Sequence, residues 1–259
     1  KKDLKNNLWV CSSCRKHHRI NCRQRFDIFF GKNNYEILNT PIPLDDPLEW
    51  VDSKTYKERL KEARKKTGQE SAVLIVKGKI NKIDVTVGAI DFGFIGGSVG
   101  AAEGEAIIYG IQHSIDNKTP FIFFPSGGGQ RMFESPIALS QMTRTTLAVN
   151  ELKKNNLPYI ICFTDPTAGG ITASFAMLGD LSLAEPGALI AFAGKRVIQA
   201  TVNEVLPENF QRSEHLQKCG FIDLIVERKD LNEKIGTLLS ILLKQNSDIN
   251  SKSDETSED

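Results

Sequence analysis

The sequence lacks the features that define several common protein classes. No apolar run approaches the roughly 18 residues that predict a membrane-spanning helix, and the basic start of the chain does not resemble a signal peptide. No Gly-x4-Gly-Lys-Ser/Thr segment is present, which excludes a P-loop. No Gly-x-Gly-x-x-Gly follows the first predicted strand, which disfavours a dinucleotide-binding fold. The chain also begins without Met, so we expect further residues upstream.

Side chains suited to proton transfer are scarce. The 259 residues include four histidines and no Gly-x-Ser-x-Gly nucleophile motif. His113 is predicted to lie in the middle of a helix as a packed or a surface histidine, and His215 is predicted to be exposed. Asp165 and Asp180 flank the helix predicted after the third glycine-rich turn, and are interpreted as a strand-end residue that shapes its turn and a turn residue, respectively. No carboxylate pair stands out for acid/base catalysis.

The overall composition is that of an ordinary globular protein, but its charge is unevenly distributed. Apolar residues make up 40% of the chain, charged residues 25%, and the net charge is +1. Residues 1–32 carry nine Lys and Arg against two Asp and Glu. Residues 247–259 carry five acidic residues against one Lys and are predicted to form a disordered acidic tail.

The cysteines indicate a reducing compartment rather than a disulfide framework. Their number is odd, and three of the five lie close to one end of the chain, at Cys11, Cys14 and Cys22. The other two, Cys162 and Cys219, are far away in the sequence. Secreted disulfide-rich domains have a different pattern.

Cys11 and Cys14 form a Cys-x2-Cys pair of the kind that places two thiolates on one Zn²⁺ ion. Cys22, with His17 or His18, could complete the site, but this spacing fits no common zinc finger. We favour a four-cysteine ribbon whose first pair lies upstream of residue 1. Free thiols in a loop are the alternative, and a redox pair is disfavoured because no βαβ unit surrounds it.

The order of predicted elements favours an α/β fold with parallel strands. Residues 1–25 are predicted to be the zinc-ribbon remnant, and residues 26–52, rich in proline, an irregular linker. A single main domain is predicted over residues 53–246, beginning with a helix that is capped by Ser53. A hairpin over residues 72–91 argues against a plain doubly wound sheet.

Three glycine-rich turns each follow an apolar strand and each precede a predicted helix. The first turn (91–100) reads DFGFIGGSVG, the second (125–132) PSGGGQRM and the third (164–171) TDPTAGGI. Glycine permits positive φ and close approach of a ligand, and a helix that starts next leaves its first amides unpaired. The turns therefore predict a main-chain site for a phosphate or an oxyanion. The alternative is that the glycines only permit close packing of helices on strands.

Main-chain donors without a side-chain base suit the stabilisation of an enolate when a cosubstrate or a partner supplies the base. The three glycine-rich turns and several neighbouring segments resemble the carboxyltransferase β subunits of bacterial and plastid acetyl-CoA carboxylases. The resemblance extends from Trp9 to about Val226 and is carried by long collinear segments. These segments are 91–100, 128–132, 157–180, 184–186, 192–194, 196–198 and 210–214.

The resemblance implies a crotonase-like fold of repeated β-β-α units with an N-terminal zinc ribbon that holds a structural Zn²⁺. It implies transfer of the carboxyl group from carboxybiotin on a biotin carboxyl carrier protein to acetyl-CoA, which yields malonyl-CoA. An α subunit in an α2β2 assembly, and biotin carboxylase in the complete complex, are the implied partners. Bacterial cytoplasm is the implied location, in preference to the plastid stroma.

The resemblance also implies roles for individual residues. The amides of Gly169 and Gly170 are the first candidates for oxyanion binding, and those of Gly128 and Gly129 the second. The remaining candidates are assigned to the substrate cleft or to the metal. Gly96, Gly97 and Ser98 are expected to line the cleft near CoA, Arg131 to contact a CoA phosphate or a carboxyl group or else to form a structural salt bridge, and Cys11 and Cys14 to bind zinc.

Two departures from the family pattern and two alternative functions accompany this interpretation. The upstream Cys pair is absent, and Gln130 stands where the family more often has Ala. A different crotonase-type acyl-CoA enzyme, such as a hydratase or decarboxylase, is the enzymatic alternative, although it would need its own acid/base carboxylates. Weak nucleic-acid binding through the basic N-terminal ribbon is the non-enzymatic alternative.

Overall fold

The computed structural model describes residues 2–202 and 205–244. Its helices are α1 (Lys2–Asn6), α2 (Cys22–Phe30), α3 (Tyr56–Thr67), α4 (Ala101–Asn117), α5 (Ser135–Lys154), α6 (Lys195–Val202), α7 (Ser213–Lys218) and α8 (Leu231–Leu242). Its strands are β1 (Tyr35–Ile37), β2 (Val73–Ile80), β3 (Ile83–Ile90), β4 (Phe121–Phe124), β5 (Tyr159–Phe163), β6 (Thr167–Ala168), β7 (Leu181–Ala184), β8 (Ile190–Ala191) and β9 (Leu224–Ile225). The predicted acidic tail over residues 247–259 lies outside the described residues.

The strands form a mixed sheet with a small second sheet beside it. Seven strands pair in the order β1-β2-β3-β4-β5-β7-β9, and β6 pairs with β8. Strands β1 to β3 are antiparallel, whereas β3 to β9 in the large sheet are parallel. The predicted α/β class and its parallel strands are confirmed.

The large sheet separates two hydrophobic cores, so its central strands are buried on both faces. Alternate residues of β4 show this directly: Phe121 and Phe123 pack in the core under α3, α4 and α5, and Ile122 and Phe124 in the core under α2 and α8. Successive side chains of a strand point to opposite faces, which explains why the strand reads as an uninterrupted apolar run.

The hairpin of β2 and β3 was predicted at the observed position. Asn81 and Lys82 form its turn with φ values of 47° and 68°. Both residues therefore lie in the left-handed region that a two-residue hairpin turn of type I′ requires. Because β3 then pairs with β4 in parallel, this hairpin attaches an antiparallel extension to the parallel part of the sheet.

The N-terminal segment is more ordered than the sequence interpretation allowed. Residues 22–30 form helix α2, although irregular structure was predicted after residue 22. A capping box explains its start, because Asn21 accepts from the Gln24 amide at 2.8 Å and Gln24 accepts from the Asn21 amide at 3.0 Å. Phe26 and Phe29 are buried against the sheet. The boundary predicted between residues 25 and 26 falls inside this helix.

Two further helix predictions need correction. Helix α3 is capped by Thr55 rather than Ser53, since Thr55 and Glu58 form the capping box. The helix predicted over residues 171–178 is an irregular turn followed by a short 3-10 helix, Phe175–Leu178. Thr172 and Ser174 donate their hydroxyls to nearby main-chain carbonyls and so compete with regular helical hydrogen bonds.

Candidate active site

The first and second glycine turns (91–100 and 125–132) are joined along their main chains. Val99 N–H donates to Gly129 O at 2.9 Å, and Arg131 N–H donates to Val99 O at 2.9 Å. Gly97 has φ of 65°, and a Cβ atom at this position would overlap the carbonyl oxygen of Ser126. Glycine is therefore required where the two backbones touch.

The second and third turns (125–132 and 164–171) are joined in the same way. Gly127 N–H donates to Pro166 O at 2.7 Å, and Ala168 N–H donates to Gly127 O at 2.9 Å. Gly169 has φ of 63°, and a Cβ atom there would lie 2.8 Å from Gly128 O. The three turns thus lie side by side, with the second in the middle.

The amides of the third turn differ in their availability. Gly169 N–H donates to the carbonyls of Ala191 and Phe192, each at 3.2 Å. Gly170 N–H has no acceptor among the described residues. Because Ala173 N–H donates to Gly169 O, Gly170 opens a helical turn and its amide is one of the donors that such a turn leaves unpaired.

The second turn has a corresponding difference. Gly128 N–H donates to Gly96 O at 3.2 Å, whereas Gly129 N–H has no acceptor within the part of the chain that the structure describes. A Cβ atom on Gly129 would lie 3.3 Å from Gly170 N, so these two glycines are direct neighbours. Of the four glycines proposed from sequence to act through their amides, Gly129 and Gly170 therefore have N–H groups without an acceptor in residues 2–202 and 205–244.

An apolar pocket of about 360 Å³ adjoins the third turn. Its wall begins at Thr172, two residues after Gly170, and continues with the aromatic rings of Phe192, Phe210 and Phe221. Sequence reasoning missed this pocket because its lining residues are scattered between residues 172 and 221. No local motif connects them, and only the fold brings them together.

Arg131 lies in a buried ion-pair cluster rather than in an open cleft. Its side chain is 1% exposed and pairs with Glu103 at 2.8 Å and with Glu134 at 3.4 Å. Burial lowers the pKa of Arg131, but Glu103, Tyr56 and Glu134 together outweigh this effect and the net shift is upward. The observed contacts are those of the structural salt bridge, the second of the two roles considered from sequence.

The carboxylates of Glu103 and Glu134 also accept hydrogen bonds from main-chain amides at the start of α4. Glu103 accepts from Gly100 N–H at 2.9 Å, and Glu134 accepts from Ala101 N–H at 2.5 Å. These amides were expected to face a ligand after the first glycine turn, but they are satisfied within the protein. Sequence reasoning missed both glutamates, although the spacing from Gly100 to Glu103 is that of a capping box.

The other expected cleft residues of the first turn differ in exposure. Gly96 is half-buried, and a Cβ atom there would meet nothing within 4 Å. Gly97 is buried against the second turn. The Ser98 hydroxyl donates to Ile95 O at 2.8 Å and accepts from Arg131 Nε at 3.2 Å, so it is engaged inside the protein.

Cys11 and Cys14 lie together in a tight turn. Arg15 N–H donates to Cys11 O, and Cys11 N–H donates to Lys16 O, both at 2.9 Å. The amides of Cys14 and Ser13 lower the pKa of the Cys11 thiol. A lowered thiol pKa favours the thiolate that binds metals.

The residues around this pair do not complete a zinc site. No group of three or more His, Cys, Asp or Glu residues within 2–202 and 205–244 is placed to hold a metal. Cys22, considered from sequence as a third ligand, is buried with its thiol donating to Ala89 O at 3.2 Å. His17 is engaged with Glu227 at 3.0 Å. The residues present thus supply two of the four ligands that structural zinc takes.

Three of the nine basic residues in the N-terminal segment pair with acidic residues of the main domain. Arg15 pairs with Glu227 at 2.6 Å, and Arg25 pairs with the buried Glu185. Arg19 pairs with Asp165 at 3.6 Å and lies over the ring of Phe92. These contacts reduce the positive charge available to a nucleic acid.

Comparison with known proteins shows the family. The carboxyl transferase domain family matches residues 49–259. Over all 259 residues the chain is 72% identical to the acetyl-coenzyme A carboxylase carboxyl transferase subunit beta of Pelagibacter ubique and covers 84% of it. The chain belongs to this β-subunit family. The Caulobacter vibrioides member is 49% identical over 241 residues, which are 93% of this chain and 78% of that protein.

Family membership establishes the reaction. Acetyl-CoA carboxylase carboxyltransferase moves the carboxyl group from carboxybiotin to acetyl-CoA and forms malonyl-CoA, the first committed step of fatty acid synthesis. The chain is thus part of a biotin-dependent transferase, as the sequence motifs predicted. Separate acetyl-CoA carboxylase subunits assemble into one enzyme, so the chain acts within a complex.

Solved structures confirm the crotonase-like fold. The transcarboxylase 12S core superposes with a TM-score of 0.68 at 19% identity, covering 93% of this chain and 44% of that one. The Pseudomonas malonate decarboxylase MdcD–MdcE heterodimer gives a TM-score of 0.65 at 18% identity, with 86% of each chain covered. Among the described residues, no helix is both long and apolar enough to cross a membrane.

Proposed function

We propose that the amide of Gly170 binds one of the two oxyanions that form during carboxyl transfer. The observation that supports this role is its unpaired N–H group, since the neighbouring amides of Ala168 and Gly169 are both used inside the protein. The amide of Gly129, adjacent to Gly170, is the second donor. Gly169 then acts by allowing its backbone to approach that of the second turn, whereas a Cβ atom on Gly128 would meet nothing within 4 Å.

The chemistry needs oxyanion donors more than it needs a protein base. Release of the carboxyl group from carboxybiotin leaves a biotin enolate, which can remove a methyl proton from acetyl-CoA. The resulting acetyl-CoA enolate attacks the released carbon dioxide. His113, whose Nδ1 lies 2.9 Å from the Thr86 hydroxyl, is packed away from the glycine turns. Preorganised amides contribute about 2.7–4 kcal/mol each to transition-state stabilisation.

Gly96 and the apolar pocket next to the third turn form our proposed path for the CoA thioester. Gly96 leaves open space beside the first turn, and the pocket beginning at Thr172 suits the apolar part of the thioester arm. Gly97 and Ser98 do not contact the substrate in this proposal. They hold the first turn against the second, Gly97 by its close packing on Ser126 and Ser98 by its hydrogen bond with Arg131. Arg131, being buried, is not included among the substrate ligands.

Replacing Gly170 with Pro tests the proposed donor, because Pro has no N–H. The measurement is kcat for transfer of the carboxyl group from malonyl-CoA to biocytin, made on the complex with a cognate α subunit. We expect this kcat to fall by about 10²–10³-fold. Gly170→Ala is the matched control for packing, since it keeps the amide and adds a Cβ atom 2.7 Å from Gln130 Cγ and 3.0 Å from Met142 Sδ, which these side chains must shift to accommodate. We expect a much smaller loss in this variant.

A second change removes the same donor without the proline ring. An ester in place of the peptide bond between Gly169 and Gly170 lacks the N–H but keeps the backbone shape. Full kcat in the ester variant would refute the role of Gly170, whatever the proline variant shows. Equal losses in Gly170→Ala and the ester variant would indicate a packing role for this glycine.

The finer partner assignments are part of the same proposal. We assign the second oxyanion site to a carboxyltransferase α subunit in an α2β2 assembly, and delivery of carboxybiotin to the biotin carboxyl carrier protein and biotin carboxylase. The bacterial origin of the similar proteins supports a bacterial cytoplasmic location.

We also propose that Cys11 and Cys14 are two ligands of a structural zinc ion whose other ligands are not among the described residues. Their adjacent positions and the lowered pKa of Cys11 support this role. The zinc content of the assembled enzyme should fall when both residues are replaced with Ser. Unchanged zinc content would refute the assignment.

A further inference from the structure

A buried cluster of polar side chains lies directly behind the first and second glycine turns. Its members are Arg131, Glu103, Glu134 and Tyr56, and each is at most 5% exposed. They come from three separate places in the chain, near residues 56, 103 and 131–134, so the cluster exists only in the folded protein. None of them is among the residues to which the proposed oxyanion chemistry assigns a role.

The guanidinium of Arg131 reaches both the first turn and the other cluster members. Its Nη2 donates to Ser98 O at 2.6 Å, and its Nε donates to the Ser98 hydroxyl at 3.2 Å. Its Nη1 donates to the Tyr56 hydroxyl at 3.0 Å. Because Arg131 itself belongs to the second turn, these bonds fix the spacing between the two turns.

The two glutamates that pair with Arg131 also accept hydrogen bonds from main-chain amides and from Tyr56. Glu103 accepts from the amides of Ala72 and Gly100, both at 2.9 Å. Glu134 accepts from Ala101 N–H and from the Tyr56 hydroxyl, both at 2.5 Å. The charge of Arg131 is thus balanced by carboxylates that also hold the end of the first turn and the start of α4.

We infer that Arg131 is a positioning residue for carboxyl transfer. Arg131 holds the first turn against the second. The hydrogen bond from Val99 N–H to Gly129 O then fixes the position of Gly129, the neighbour of Gly170. The inference rests on the proposed role of the glycine amides. Misplacement of a reacting group by about 1 Å can cost about 100-fold in rate.

Arg131→Lys separates positioning from simple charge balance. Lysine keeps one positive charge for Glu103 and Glu134 but has no planar fork to reach Ser98 and Tyr56 at once. We expect kcat of the assembled enzyme to fall by about 10–100-fold while KM for malonyl-CoA changes by less than about threefold. Tyr56→Phe removes one hydroxyl of the same cluster and should lower kcat in the same direction by a smaller factor.

Arg228→Lys is the matched control. Arg228 is equally buried, at 1% exposure, and also pairs with a carboxylate, at 2.7 Å from Glu185. Its other partners are the carbonyls of Leu8 and His18, which lie outside the glycine turns. We expect this variant to lose thermal stability with kcat per assembled complex unchanged.

Three outcomes would overturn the inference. They are wild-type kcat in Arg131→Lys, a rise in KM alone, and equal loss of kcat in Arg228→Lys. If Arg131→Lys fails to assemble, kcat of Tyr56→Phe decides in its place, and a wild-type value refutes the inference. Combining Arg131→Lys with Gly170→Pro should give a smaller loss than the product of the single losses, because both act on the neighbouring pair of donors, Gly129 and Gly170. Loss in Gly170→Pro with full kcat in Arg131→Lys refutes only the positioning role, and the converse refutes only the proposed donor.

Discussion

Adjacent glycines in the first turn carry different constraints. Gly96 and Gly97 both have φ of 65°, so both lie in the left-handed region that side chains with a Cβ atom disfavour. Only Gly97 faces another backbone, at Ser126 and Gly127. The turn therefore needs one glycine for conformation alone and one for conformation and close contact.

This difference predicts unequal effects of alanine at the two positions. Gly96→Ala should cost about 1–2 kcal/mol, the strain of the left-handed conformation. Gly97→Ala adds an overlap with main chain that cannot move aside, and we expect a clearly larger loss. Thermal unfolding of the two variants under identical conditions checks this order. Equal losses would mean that the second turn yields to the added methyl group.

At the scale of elements, the N-terminal segment is docked on the main domain through a second buried charge cluster. Glu185, which directly follows β7, pairs with Arg25 of α2 and with Arg228. His17 lies 3.7 Å from the same carboxylate. Burial alone would raise the pKa of Glu185, but the charge of Arg25 and the hydrogen bond from Arg228 hold it well below its usual range.

Replacing Glu185 with Gln should therefore destabilise the protein in a pH-dependent way. Breaking a buried pair from one side leaves unpaired charge and costs about 3–5 kcal/mol. Because the folded-state pKa of Glu185 is depressed, its contribution is present at neutral pH and is lost as pH falls through that pKa. The difference in unfolding free energy between wild type and variant should persist at pH 5 and narrow only below about pH 4.3.

Glu227 provides the control for this prediction. It also pairs with N-terminal residues, Arg15 and His17, but its side chain is 28% exposed. Solvent screening limits such pairs to about 1 kcal/mol or less, so Glu227→Gln should have a small effect. Denaturant titrations of both variants at several pH values make the comparison. A loss in Glu185→Gln as small as that in Glu227→Gln would show that this buried cluster does not anchor the segment.

At the scale of the whole molecule, the proposed donors come from the backbone and the proposed mechanism calls for a second oxyanion site. The amides of Gly129 and Gly170 have no acceptor among the described residues, and the two glycines are direct neighbours. In the proposed mechanism two oxyanions, one on each cosubstrate, are held during transfer. This arrangement supports the proposal that a partner subunit completes the enzyme.

The prediction is that the chain alone does not catalyse carboxyl transfer. In the reverse direction, malonyl-CoA and biocytin should yield acetyl-CoA only after a cognate α subunit is added. The measurement is acetyl-CoA formation by each subunit and by their mixture, with complex formation checked separately. Activity of the chain alone would mean that it holds a complete site, which would overturn the shared-site proposal.

Local sequence was sufficient for elements whose signals are short-range. The hairpin turn at Asn81 and Lys82, the parallel strands and the glycine-rich junctions all follow from nearby residues. Helix α2 could also have been predicted, since Asn21 and Gln24 form a capping box and Phe26, Phe29 and Phe30 follow at helical spacing. The prolines at 41, 43 and 47 do not bear on it, because they lie beyond its end at Phe30.

The sequence by itself determined the family, the α/β class and the positions of the three turns, because these depend on collinear motifs and local backbone preferences. Only the tertiary structure decided which amides remain free, that Arg131 points inward, and that the lining of the apolar pocket comes together. Hydrogen-bond partners such as Ala191 for Gly169 and Ser98 for Arg131 are distant in sequence. Whether a donor is available depends on where such partners lie after folding, and no local pattern encodes that.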